Sequence, residues 1–157
     1  MKRIIKLFLL LALLLPVDLP AQKDSIHLIC PLNQAIVVPP PKNVIHYDIA
    51  DLCIVLVSIM DTVVKACIGG RVTNVVANED IEGKWDIVFF SRYNNKDYYF
   101  WYSGLDKVII RRNDILKQGQ AIGFVRSNDK IEMLMYEFET QLDPTKYLDC
   151  GGILKSE

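Results

Sequence analysis

Few side chains in this sequence could bind a metal or act as nucleophiles, and they are poorly clustered. The histidines are His27 and His46, with Asp48 and Asp51 shortly after the second. A catalytic zinc takes three protein ligands and lowers the pKa of the water it holds. A hydrolytic metal centre would therefore be built from His27, His46, Asp48 or Asp51. His46 beside Asp48 reads more simply as a turn or surface pair than as a catalytic dyad. Cys30, Cys53, Cys67 and Cys150 contain no Cys-x-x-Cys spacing, which argues against a thiolate zinc site. Met133 and Met135 alternate in a β-like run and share one face of a strand. Their thioethers suit Cu(I) more than zinc, but two methionines in an apolar strand read as core filling. No metal or nucleophile neighbours Glu137, and we assign it no chemistry. The expectation is a protein without a cofactor or metal.

The elements that would position these groups are β-strands. The run 52–60, LCIVLVSIM, is almost continuously apolar and β-branched, as in a fully buried strand. Strands are expected over 63–68 and 71–77, joined through Gly69-Gly70 in a turn with positive φ. A hairpin is expected from 85–93 and 98–103 around Asn94-Asn95-Lys96-Asp97, and a short strand at 108–111. Strands 121–125 and 130–138 are expected to pair across Ser127-Asn128-Asp129. Val38-Pro39-Pro40-Pro41-Lys42-Asn43 cannot be a central strand, because proline removes backbone donors; it reads as an extended surface segment. With no long amphipathic helix and no internal repeat, the expected fold is all-β, an antiparallel β-sandwich or barrel-like sheet of short strands.

Composition narrows the setting. The chain has 157 residues, 51% of them hydrophobic, enough for one domain with a core. Met1-Lys2-Arg3 and Lys6 precede an apolar run at 7–15 ended by Pro16, and Ala21 is a small residue suited to cleavage, although Leu19 is large. That order reads as a secretory signal peptide over 1–21, too short to span a bilayer comfortably, which takes about 20 apolar residues. An uncleaved anchor is the only membrane attachment expected. Losing the leader removes three cations and one anion from a formal charge of −1, leaving about −3, no footprint for nucleic acid. Export would allow two disulfides among the four cysteines, and the three possible pairings are equivalent at this level. Cys53 and Cys67, in apolar segments, read equally well as buried small hydrophobes. The remaining units are a lead-in with the first buried strand at 22–61, a β domain at 62–150 and a tail at 151–157.

Within 62–148 the order of short motifs is recognisable. Val64-x-Ala66, Gly70-x-Val72, Tyr102-x-x-Leu105, Gly119-Gln120-x-Ile122-Gly123, Leu134-x-Tyr136-Glu137-Phe138 and Asp143-Pro144-x-x-Tyr147-Leu148 together resemble the lysostaphin/LytM-type zinc peptidase domain. Active members cleave peptide bonds in bacterial peptidoglycan. The resemblance implies zinc ligands in a His-x-x-x-Asp segment and at the second His of a His-x-His strand, with assisting histidines in Tyr-x-His-Leu and at the first His of that strand. Here Gly104 stands in place of the first assisting histidine, and Met133 and Met135 replace the His-x-His pair. The His-x-x-x-Asp pair falls on Asp51 and Val55, or with an insertion on Val44 and Asp48. The turn before the Met133 strand is shorter than the family's. Biotinyl and lipoyl carrier domains are a fainter likeness, with Leu134 where their modified lysine stands.

The resemblance implies an exported, catalytically inactive peptidase-like domain, periplasmic or extracellular. It would act by binding peptidoglycan or an envelope protein such as a cell-wall amidase. Tyr102 and Tyr136 are the expected groove or partner contacts, with Tyr98 and Trp101 as further aromatic candidates. Two alternatives stand beside this one. The first is a zinc-dependent peptidoglycan endopeptidase whose ligands come from His27, His46, Asp48 or Asp51. The second is a disulfide-stapled accessory subunit whose apolar run at 52–60 faces a protein partner.

Overall fold

The long β6–β7 hairpin shows how local sequence sets this fold, here followed in a computed structural model that describes residues 26–38, 52–60 and 62–150. β6 (Trp85–Tyr93) and β7 (Lys96–Leu105) are joined by two residues, with Tyr93 opposite Lys96. Asn94 and Asn95 both have positive φ, 48° and 60°. A two-residue hairpin needs that conformation, and asparagine tolerates it better than other chiral residues. The remaining strands are β1 (Leu28–Ile29), β2 (Ala35–Val38), β3 (Ile54–Ser58), β4 (Val63–Lys65), β5 (Gly70–Ala77), β8 (Lys107–Val108), β9 (Ile115–Leu116), β10 (Ala121–Phe124), β11 (Lys130–Glu137), β12 (Thr140–Leu142) and β13 (Leu148–Asp149).

A large sheet runs β2-β3-β11-β7-β6-β5-β9, with β12 also paired to β11; a small one runs β4-β10-β8. The fold is all-β and the pairings of both sheets are antiparallel. One core lies between them. Ile54, Leu56, Phe89, Phe100, Ile131 and Met133 come from the large sheet, Val64 and Ile122 from the small one. Ser127-Asn128-Asp129 does not make a hairpin of its flanking strands. β10 pairs with β4 and β8, and β11 pairs with β3, β7 and β12. Gly69-Gly70 likewise is not a hairpin turn, and neither residue has positive φ. β4 and β5 belong to different sheets, and a Cβ on Gly70 would run into the Phe90 carbonyl. Glycine is needed there for close approach of strands, not for a turn.

Residues 26–38 are more than a lead-in. Leu28 and Leu32 are fully buried in the core, and β2 pairs with β3 from Ala35 opposite Ser58 to Val38 opposite Val55. β1 runs parallel to β13, with Leu28 opposite Leu148, and Cys30 is disulfide-bonded to Cys150 directly beyond. Cys53 and Cys67 are buried thiols, so one of the two bonds allowed by the cysteine count forms. The Pro-rich stretch beyond Val38, the leader at 1–21 and the tail at 151–157 lie outside the described residues. Among the described residues no helix is long and apolar enough to cross a membrane.

A compact ion network pins the turn before β11. Lys84 Nζ lies 2.7 Å from Asp129 and 3.1 Å from Asp106, while Arg126 reaches Asp106 at 2.8 Å. Asp106 also accepts from the Arg126 backbone N–H at 2.8 Å. Burial pushes the Asp106 carboxyl up, but the Arg126 backbone N–H, Lys84 and the Arg126 side chain outweigh it and hold its pKa below the usual value. A carboxylate with a lowered folded pKa adds stability above its unfolded pKa, about 3.9, and loses it as pH falls through the folded value. Acid unfolding should therefore steepen below about pH 4, and Asp106→Asn should flatten that limb of the stability–pH profile.

The disulfide gives a second expectation. It closes a loop with a sequence separation of 120, for which the chain-entropy model assigns about 5 kcal/mol. Alkylating the unfolded, unreduced protein should modify two cysteines, Cys53 and Cys67. Urea unfolding of Cys30→Ser should show a loss of up to about 5 kcal/mol.

Candidate functional site

Strand alternation divides the large sheet into a closed and an open face. Across β7 and β11 the pairs Tyr102–Met133 and Phe100–Met135 alternate with Ser103–Glu132, Trp101–Leu134 and Tyr99–Tyr136. The first set points into the main core and is fully buried. In the second set Leu134 is buried, but Trp101, Tyr99 and Tyr136 are half-exposed. On this open face Cys53, Val55 and Leu134 form a separate apolar cluster, flanked by Val38, Trp101 and Tyr136.

Polar groups frame the cluster. Trp101 Nε1 donates to Asp86 Oδ2 at 3.2 Å; Asn78 Nδ2 donates to Asp86 Oδ1 at 2.8 Å and to Ser103 Oγ at 2.9 Å. Asp86 is only 7% exposed, and these two donors satisfy a carboxylate that would otherwise be costly to bury. Glu132 accepts from Lys130 Nζ at 3.1 Å. Below Trp101, one row of directly paired residues crosses six strands: Ile115, Arg71, Phe90, Tyr99, Tyr136 and Gln141. The Phe90 and Tyr99 rings lie 5.4 Å apart. Gln141 Nε2, at the end of the row, is buried and makes no hydrogen bond.

Several expectations change here. Tyr102 is no groove residue: its ring stacks 5.6 Å from Phe89 in the core, and its hydroxyl accepts the Cys67 backbone N–H at 3.0 Å. Tyr98 takes the same inward phase. Because alternate residues face opposite sides, Trp101 and Tyr102 could not both be contacts, and polar Ser103 in phase with Trp101 was the available signal. Tyr136 lies on the open face, in one row with Tyr99 and Phe90. Met133 and Met135 face the core, not a groove. The open-face positions of β11 are Glu132, Leu134 and Tyr136, one residue out of phase with the His-x-His alignment. A one-residue slip turns every side chain to the other face.

Gly104 has φ +92°, and a Cβ there would lie 3.0 Å from the Lys130 carbonyl oxygen. The backbone thus requires glycine where the motif has histidine. Val55 is on the open face, within the apolar cluster. Asp51, Asp48, His46 and Val44 lie outside the described residues. His27 is exposed, and its carbonyl accepts from Gln118 Nε2 at 3.2 Å.

Among the described residues, the donor set does not fit a zinc centre. Around Val55 and Leu134, what these residues offer on the open face is the Glu132 carboxylate, already paired with Lys130, the Asp86 carboxylate, held by Trp101 and Asn78, and the Cys53 thiol. Among the described residues no three His, Cys, Asp or Glu side chains are grouped to hold a metal.

No protein-family model and no curated protein matches this chain. Solved structures do. The catalytic domain of lysostaphin from Staphylococcus simulans superposes with a TM-score of 0.53 at 19% identity, over 71% of this chain and 86% of that one. A chain of the SpoIIQ–SpoIIIAH pore-forming complex gives 0.58 at 13% identity, over 80% and 93%. Helicobacter pylori Csd3 gives 0.61 at 14% identity, over 84% of this chain and 36% of that one. The fold is that of lysostaphin/LytM-type peptidase domains.

The Tyr102–Cys67 contact is testable. Burial pushes the Cys67 thiol up to about 12 and the Tyr102 hydroxyl well above its usual value. Tyr102→Phe would leave the buried Cys67 N–H without its acceptor and should cost about 1–3 kcal/mol in urea unfolding. In the native wild type Cys67 should resist alkylation at pH 8, because the reactive thiolate is suppressed.

Proposed function

We propose that this chain, which carries the lysostaphin/LytM-type fold, is an exported domain that acts in the bacterial envelope by binding, with peptidoglycan as its first ligand. The observation that carries this is the make-up of the open face. Around Val55, a position that the motif comparison matches to a metal ligand, and Leu134, the sheet presents Trp101, Tyr99 and Tyr136. Half-exposed aromatic side chains on a rigid sheet are efficient anchors, since they lose little conformational entropy when a partner covers them. No hydrolytic step is derived for a site with this donor set.

Export is supported by the leader-like sequence at 1–21 and by the Cys30–Cys150 disulfide, a bond favoured in oxidising compartments. An envelope protein as the ligand is the second reading. It is favoured by the likeness to a chain from the SpoIIQ–SpoIIIAH complex, where the same fold takes part in a protein assembly.

The test is co-sedimentation of residues 22–157, disulfide intact, with purified peptidoglycan sacculi. Wild type should be retained at moderate salt, and Trp101→Ala or Tyr136→Ala should weaken retention about tenfold or more while thermal unfolding shows a folded domain. Complete recovery in the supernatant would remove the wall-binding reading and leave the protein partner. Metal analysis of the same sample should show less than stoichiometric zinc; one tightly held zinc per chain would overturn the non-catalytic assignment.

A further inference from the structure

Near the Ile115 end of the row of paired residues below Trp101, an uncommitted cation sits beside a cleft. β5 begins at Gly70 while β6 runs on to Tyr93, and at this step Gly69, Gly70, Arg71, Phe90, Arg92 and Ile115 border a shallow, open cleft of about 510 Å³. The two guanidinium groups at the cleft are not equivalent. Arg92 is held by Asp97 through two hydrogen bonds of 2.6 and 3.0 Å, and lies 5.9 Å from the centre of the Phe90 ring. Its charge is already compensated. Arg71 is exposed and, among the described residues, has no ion-pair partner. Its neighbour across β9, Ile115, is 65% exposed, a large apolar side chain left against solvent. From the cleft the row continues through Phe90, Tyr99 and Tyr136 to Gln141.

From this placement we infer that the strip from Arg71 to Tyr136 docks an extended, carboxylate-bearing peptide segment of a partner, with its carboxylate on Arg71. The inference rests on the open face being a binding face and names its ligand class. A planar guanidinium receives a carboxylate through two parallel hydrogen bonds, and Arg71 is the group at the cleft with that capacity unused. One unpaired guanidinium at the cleft, on a chain of formal charge −1, suits one carboxylate and not a polyanion. Phe90, Tyr99 and Tyr136 supply aromatic faces beyond it, which suit apolar side chains and peptide planes. Four strands at about 4.8 Å spacing make the strip from Arg71 to Tyr136 about 14 Å long, the reach of about four extended residues. The row crosses the strands, so the segment would lie over the side chains of the sheet and not add to its edge. Covering Ile115 and Phe90 contributes the apolar part of the binding free energy.

The test uses isotope-labelled residues 22–157 with the disulfide intact. The probe is an acetylated alanine–leucine heptapeptide ending in glutamate with a free carboxyl terminus. The control is the same peptide ending in glutamine amide. Amide shifts should concentrate at Arg71, Phe90 and Tyr99, with the acid peptide binding at least about tenfold more tightly than the control. Arg71→Gln, an exposed substitution, should reduce the acid peptide to the control's affinity and leave the control unchanged. Equal affinities, shifts away from this strip, or no shifts at millimolar peptide would overturn the inference. The two proposals fail separately. Sacculus retention with no peptide shifts removes this strip alone; peptide shifts abolished by Arg71→Gln, without sacculus retention, support the strip and remove the wall-binding reading.

Discussion

The two-residue period of β7 and β11 is the constraint on which both the core and the open face depend. These strands pair over six consecutive positions, so the side chains of one strand are locked in phase with those of the other. Phe100, Tyr102, Met133 and Met135 are thereby committed to the interior, and Tyr99, Trp101, Leu134 and Tyr136 to the opposite side. Neither set can change face without breaking the pairing of both strands. The polar groups obey the same division. Inside, the Tyr102 hydroxyl closes a buried backbone N–H; outside, Asp86 gathers Trp101 and Asn78. Each buried polar atom in these two groups has its partner, which lets polar side chains sit on both sides of so apolar a sheet.

The chain ends add a different kind of order. β1 and β13 are short and would be weak alone, but they meet where Cys30 joins Cys150. Ile29 N–H donates to the Cys67 carbonyl at 3.0 Å, and Gln118 Nε2 reaches the same carbonyl at 3.1 Å. The terminal pair is thus tied to the loop whose Cys67 also faces Tyr102. Covalent bond, backbone bonds and buried leucines act on one corner of the domain, and that corner holds the inner face of β7 from below.

The fold was legible because its signals are local or cumulative. The Asn94-Asn95 hairpin, the apolar run of β3 and the order of glycine-containing motifs each point to the same all-β architecture. The pairings through Gly69-Gly70 and Ser127-Asn128-Asp129 were not legible. Adjacent strands there go to different partners, and such long-range choices are made by the shared core. The candidate site was partly legible. Tyr136 and Trp101 lie on the open face; Tyr102 does not, although the polarity of Ser103 marked the phase. Met133 and Met135 matched a motif by spacing while lying in the wrong phase, since Glu132 and Leu134 carry the same spacing on the other side. Arg71 and Phe90 could not be grouped with Tyr99 and Tyr136 before the register of four strands was known.

Gly104 bears on how such a domain can change. Its positive φ and the Lys130 carbonyl 3.0 Å from its missing Cβ bar any larger residue unless the backbone first moves. A codon change to histidine would therefore produce a strained protein and not a working one, because an imidazole needs both a new backbone conformation at 104 and a displaced β11 edge. Two alterations, of the 104 backbone and of the Lys130 carbonyl, are therefore coupled in any such exchange. The glycine thus fixes the local backbone: side chains elsewhere on the sheet can be exchanged on strands that stay where they are, while position 104 admits no side chain without moving the chain around it.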